Sequence, residues 1–92
     1  MGKLSGSEVA QRIRDLPEWR ENNSVISRTF QFKDFGGAMK FVNAVAAEAE
    51  KANHHPDIDI RWNKVTLALT THDEGGLTEK DFALAAKFDR LV

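Results

Sequence analysis

Apolar positions recur along this 92-residue chain with two different periods, and the alternation between them predicts the order of its elements. Val9, Ile13 and Leu16 lie at helical spacing behind Ser5 and Glu8, which have the separation of a capping box, and Pro17 closes the stretch. Trp19-Arg20-Glu21 and Val25 to Phe32 read as two strands around Asn22-Asn23, a pair that tolerates the positive φ of a tight turn. Ile26, Phe30 and Phe32 then share one face. Asp34 is placed to cap a longer helix whose stripe is Phe35, Ala38, Met39, Val42, Val45, Ala46 and Ala49. Two alternating runs follow, Ile58-Ile60-Trp62 and Val65-Leu67-Leu69. After the loop Asp73-Glu74-Gly75-Gly76, Thr78 and Asp81 repeat the capping-box spacing, with Leu77 and Phe82 as its hydrophobic staple. Ala85, Ala86, Phe88 and Leu91 carry a last helix towards the C-terminus. The expected fold class is α+β: one domain over residues 1–92, with a four-stranded antiparallel sheet and helices on one face, in the order α-β-β-α-β-β-α. Free sheet edges in such a fold invite pairing between subunits.

The stretch from Glu50 to His72 holds all three histidines. A two-residue connection at Asn63-Lys64 would set Trp62 opposite Val65, Ile60 opposite Leu67 and Ile58 opposite Leu69. Continued outward, that register makes His55 a neighbour of His72. Glu50 falls at the margin of the helical stripe just before His54 and His55, while Lys51 points away. An anion is disfavoured in a last helical turn, which is a reason to look for its partner.

Composition narrows the function. Thirteen basic against fourteen acidic residues give a net charge of −1 without a basic stripe, which argues against direct nucleic-acid binding. The absence of cysteine removes disulfides, thiolate metal sites and a cysteine nucleophile. No apolar run is long enough to span a bilayer and the opening MGKLSGSEVAQ lacks a signal-peptide core, so a cytoplasmic protein is expected.

Three imidazoles and a carboxylate at one end of a hairpin suit proton transfer, because imidazole gives or takes a proton near neutral pH. Zinc is the other chemistry such a set suggests, but adjacent residues of an extended chain point apart, so His54 and His55 do not readily serve one ion. Trp19 either closes the core or offers its ring to a flat ligand. Gly36-Gly37 follow a helix cap without a lysine partner and do not form a phosphate-binding loop.

The motifs E-x-x-x-H-H-P at Glu50 to Pro56, N-K-V at Asn63 to Val65, T-H-x-x-x-G-L-[ST]-x-x-D from Thr71 to Asp81, and F-x-F-K-D-F at Phe30 to Phe35 together resemble the pterin-4a-carbinolamine dehydratase family over nearly the whole chain. The resemblance implies a hydro-lyase that dehydrates a 4a-hydroxytetrahydropterin to quinonoid dihydropterin, in regenerating the cofactor of aromatic amino acid hydroxylases. It implies no metal and no organic cofactor. By the same resemblance His54 and His72 are the acid–base pair, His55 orients the pterin and shares a proton, and Glu50 holds a histidine. Asp81 sits at the pocket or serves only as a cap. Trp19 faces the ligand, and the main chain of Thr71, Asp73 and Glu74 binds the pyrimidine edge. Glu74 stands where animal members carry cysteine, a change of pocket polarity that removes no acid–base group. A homodimer or homotetramer is expected. The rival readings are a non-catalytic interaction module with Phe41 or Phe88 as exposed anchors, and the same pocket acting on an intermediate connected with molybdopterin metabolism.

Overall fold

The computed structural model describes residues 2–92. Helix α1 (Gly6–Ile13) opens on the expected capping box, in which Glu8 N–H donates to Ser5 Oγ and Ser5 N–H donates to Glu8 Oε1. It ends four residues before Pro17, and single turns then carry the chain to the buried Leu16. Strands β1 (Arg20–Asn22) and β2 (Val25–Gln31) meet at Asn23-Ser24, whose φ angles of 52° and 65° give the positive-φ pair that a tight hairpin needs. The turn thus falls one residue later than the Asn22-Asn23 expected.

Helix α2 (Phe35–Ala52) starts where Asp34 accepts from Gly37 N–H at 2.8 Å. Its buried face is Ala38, Phe41, Val45 and Ala49, so Phe41 lies inward while Phe35 and Ala46 lie outward. Strands β3 (Asp57–Arg61) and β4 (Lys64–Leu69) follow, then a single 3-10 turn over His72–Glu74 and helix α3 (Glu79–Asp89). The sheet order is β1-β2-β4-β3, antiparallel throughout, and the α+β fold with its α-β-β-α-β-β-α order is the one expected.

The register of the second hairpin differs from the expectation by two residues. Ile60 pairs with Val65 and Ile58 with Leu67, and the connection is Trp62-Asn63 rather than Asn63-Lys64. Trp62 adopts φ 51° and is 65% exposed, so it stands in the turn and not in the core. Asn63 fixes this choice from a distance, because its Nδ2 donates to Phe32 O and its carbonyl accepts from Phe32 N–H, both at 2.8 Å. A shift by two keeps every side chain on its face. It nevertheless changes the neighbours, since the register continued outward sets Thr70, not His72, opposite His55.

Ile26, Phe30, Val65, Leu67 and Leu69 of the sheet meet the α2 face and Phe82, Leu84, Ala85 and Phe88 of α3 in one core. Phe41 and Phe88, the expected surface anchors of an interaction module, are 5% and 0% exposed and belong to that core. Two polar ties lock the helices. Asp89 on α3 accepts from Trp19 Nε1–H at 2.8 Å and from Arg28 Nη1 at 2.7 Å, and the Arg28 guanidinium also lies 4.1 Å from the Phe30 ring centre. Asp89→Ala strands the buried indole N–H and should cost about 1–3 kcal/mol in thermal or urea unfolding, with a change in tryptophan emission. Unaltered stability would show that the tie contributes nothing.

Arg12 forks onto Glu79, joining α1 to α3, with its Nε 2.8 Å from Oε2. These hydrogen bonds hold the Glu79 carboxyl below its ordinary value of 4.5. A carboxyl depressed on folding adds stability above its unfolded value and loses it as the pH falls through the folded one. The wild type should therefore lose a small stability increment below about pH 4.5 that Glu79→Gln lacks. Melting temperatures across that range would read it, and identical profiles would refute it.

Candidate active site

The site begins where α2 ends. Asn53 takes the left-handed conformation (φ 51°, ψ 43°), the amide of Asn53 donates to Ala49 and Glu50 carbonyls, and His54 N–H reaches back to Ala49 O at 3.1 Å. This closing turn reverses the chain and delivers His54 and His55 directly in front of β3. The two rings then take different partners, as neighbours on extended chain must.

His54 goes inward. Its side chain is 13% exposed and its Nε2 lies 2.6 Å from Asp81 Oδ1. Asp81 is fully buried in the first turn of α3, and its other oxygen, Oδ2, accepts from Thr78 N–H at 3.0 Å and from Thr71 Oγ1 at 2.7 Å. The residue is therefore both a helix cap and the holder of a histidine. Thr71 spends its single hydroxyl proton on Asp81, so the Thr78 hydroxyl donates to Thr71 Oγ1 at 3.0 Å and accepts from Lys80 N–H at 3.3 Å. All these buried polar atoms are satisfied: among the described residues no buried side-chain nitrogen or oxygen lacks a partner. A carboxylate only accepts, which fixes the His54 proton on Nε2 and leaves the Nδ1 lone pair free in the neutral ring.

His55 goes outward. Its Nε2 lies 2.6 Å from Glu50 Oε2 across a well-exposed pair, which supplies the partner that an anion in the last turn of α2 called for. His72 opens the 3-10 turn directly after Thr71, is exposed, and makes no side-chain hydrogen bond among the described residues. Its carbonyl accepts from Gly75 N–H, and Gly75 closes the turn at φ 77°. His72 is thus tied to His54 through Thr71 and Asp81, not through strand pairing.

The other expected residues scatter. Asp73 and Glu74 are exposed on the 3-10 turn, and Glu74 lines a cavity of about 660 Å³ with Thr71, Thr78 and Lys80. Trp19 is buried in the core, 3% exposed and edge-on to Phe30 at 6.2 Å. The hydrogen bond from Thr78 to Thr71 escaped the sequence reading, which assigned Thr78 only a cap. Among the described residues no group of three or more His, Asp and Glu side chains is arranged around a metal position. Chemically, the arrangement offers imidazole nitrogens able to accept or donate a proton beside a polar main-chain turn.

Comparison with known proteins agrees with this architecture. The family model described as pterin 4 alpha carbinolamine dehydratase matches residues 2–91. A Chloroflexus aurantiacus protein is 55% identical over 92 residues, covering 100% of this chain and 99% of its own, and an Acidobacterium capsulatum protein is 52% identical with both chains fully covered. Both carry the name pterin-4-alpha-carbinolamine dehydratase, given there provisionally. The crystal structure of a transcriptional coactivator/pterin dehydratase from Brucella melitensis superposes with a TM-score of 0.94 at 37% identity, covering 98% of each chain. A pterin dehydratase-like protein identified as a RuBisCO assembly factor in the alpha-carboxysome gives 0.66 at 26% identity, over 79% of this chain and 84% of that one.

Proposed function

Since the chain belongs to the pterin 4 alpha carbinolamine dehydratase family, we propose that it dehydrates a 4a-hydroxytetrahydropterin to the quinonoid dihydropterin, using His54 and His72 as proton-transfer groups. The observation that carries this reading is the His54 ring, anchored through Nε2 by the buried Asp81 so that Nδ1 is left for chemistry. In the reaction the C4a–O bond breaks, the hydroxyl takes up a proton and leaves as water, N5 gives up its proton, and a C4a–N5 double bond forms. One imidazole supplies the first proton and another accepts the second. His55, steadied by Glu50, orients the pterin and shares a proton. Of the Thr71 to Glu74 main chain, Thr71 and the Glu74 N–H are spent within the turn, so the Asp73 amide and carbonyl and the Glu74 carbonyl are the groups offered to the pyrimidine edge.

The decisive assay follows dehydration of a 4a-hydroxytetrahydropterin with the spontaneous rate subtracted. Acceleration by folded protein is the expected result, and its absence defeats the reading. An interaction module is the weaker alternative, because the aromatic anchors it would need lie in the core.

The functional unit is a homodimer, or a homotetramer made of two such dimers. Among the described residues the outer edge of β3 pairs with no strand, and Ile58, Ile60 and Trp62 beside it are 39%, 37% and 65% exposed. Edges of this kind are normally paired or blunted. A second copy, antiparallel about Ile60, sets Ile60 against itself, Ile58 beside Trp62 of the second copy, and Asp59 beside Arg61 of the second copy. These three pairs are apolar or oppositely charged, and Asp57 meets Asn63 at the ends. Ile60→Lys opposes two ammonium groups on that axis and should convert the dimer to monomer in sedimentation equilibrium. A monomeric wild type at tens of micromolar would sink this assembly.

A further inference from the structure

His54 also lines a narrow cleft of about 150 Å³ between the end of α2 and α3. Its walls are the small or apolar Ala52, Ala83 and Leu84, and its remaining lining residues are Lys80 and Lys87. The two lysines stand seven positions apart on α3, two turns along one helix face. Among the described residues neither has a carboxylate within ion-pairing distance. Glu48, which shares the adjoining hollow with Lys87, lies 3.7 Å from Lys51 instead. Asp81 has both oxygens engaged. Among the described residues, two cations without an ion pair therefore border a pocket lined by no acid.

The chemistry of the substrate says what would arrive there. In a pterin, N5 is bonded to both C4a and C6, so a substituent on C6 emerges one bond from the atom that loses its proton. A histidine serving C4a or N5 consequently has that substituent as its neighbour. The cleft beside His54, at about 30 Å³ per water-sized group, has room for a carboxylate or phosphate. Lysine grips such groups as a point charge with three donors. We infer that the substrate of this protein is a pterin bearing an anionic group on its C6 substituent, held by Lys80 and Lys87. The inference rests on the proposed dehydratase reading and names its substrate class.

The test has a catalytic and a binding arm. In the first, dehydration is followed for 4a-hydroxytetrahydropterins carrying a 6-methyl, a 6-carboxylate or a 6-phosphomethyl group, with wild type and with Lys80→Gln/Lys87→Gln, at low and at physiological salt. In the second, 6-methylpterin, pterin-6-carboxylate and 6-hydroxymethylpterin phosphate are titrated calorimetrically. The wild type should favour at least one anionic compound by roughly five-fold in kcat/KM and in affinity, about what two partly exposed charge pairs give. The advantage should shrink with salt and fall to about one in the double variant. Which anion is favoured separates carboxylate from phosphate. Catalysis of all three compounds without anionic preference, or a preference that survives the double variant, overturns the inference and leaves the dehydratase reading standing. Failure to accelerate any compound defeats the dehydratase reading, and failure to bind any defeats both.

Discussion

A His54→Ala variant should lose between about 100-fold and 10,000-fold of the dehydration rate, the range for removing a positioned proton-transfer group. Folding should survive, because the lost ring leaves a gap at a partly open cleft and not in the apolar core. Asp81 does lose one of its donors, but Thr71 and Thr78 remain on its other oxygen. His72→Ala should cost rate with less effect on stability, since that ring is exposed and makes no hydrogen bond among the described residues. The double variant should fall to the spontaneous rate. Circular dichroism and melting must accompany each assay, for loss of rate in an unfolded protein says nothing. A folded double variant with wild-type rate would remove both histidines from the reaction.

The second large effect concerns Asp81. Deleting its side chain leaves Thr78 N–H, the Thr71 hydroxyl and His54 Nε2 without their acceptor in a fully buried position. Breaking a buried charged network of this kind costs about 3–5 kcal/mol, so Asp81→Ala should lower the melting temperature by at least about 12 °C. Asp81→Asn isolates the chemical part. Its volume is nearly unchanged, but an amide has one accepting end and one donating end. If the oxygen stays on the threonine side, the amide donates to Nε2, and the His54 proton moves to Nδ1, the nitrogen proposed to face substrate. The expected result is a folded protein with activity reduced about 100-fold or more, with nitrogen NMR shifts reporting the exchanged tautomer. Full activity would mean that Asp81 only caps α3.

What the sequence made legible follows from which interactions are local. Both capping boxes, the Asp34 cap and the long stripe of α2 lie within one or two helical turns, and the structure contains them. The alternation of the strands was equally plain, yet the second hairpin slipped by two residues. Period-two patterns are blind to even shifts, and the choice was made by Asn63 reaching Phe32, 31 residues away. The single turns after α1 and the inward rotation of Phe41 likewise depend on tertiary packing. Within the site, the pairing of His55 with Glu50 was readable from the misplaced anion. The pairing of His54 with Asp81 crosses 27 residues, and the tie of Trp19 to Asp89 crosses 70, distances over which spacing carries no signal.

The ordered hydroxyls beneath His54 have a kinetic consequence. Each proton in the series from Lys80 N–H through Thr78 and Thr71 to Asp81 already points one way, and the series starts at a backbone amide that cannot release its own. The interior side of the ring is thus a dead end for proton traffic. On the proposed reading, charge that His54 gains or loses in a turnover is exchanged through Nδ1, since Nε2 is held by Asp81. One turnover gives a proton to the leaving hydroxyl and takes one from N5, so the two imidazoles reset by passing that one proton back from acceptor to donor, with none supplied from the interior.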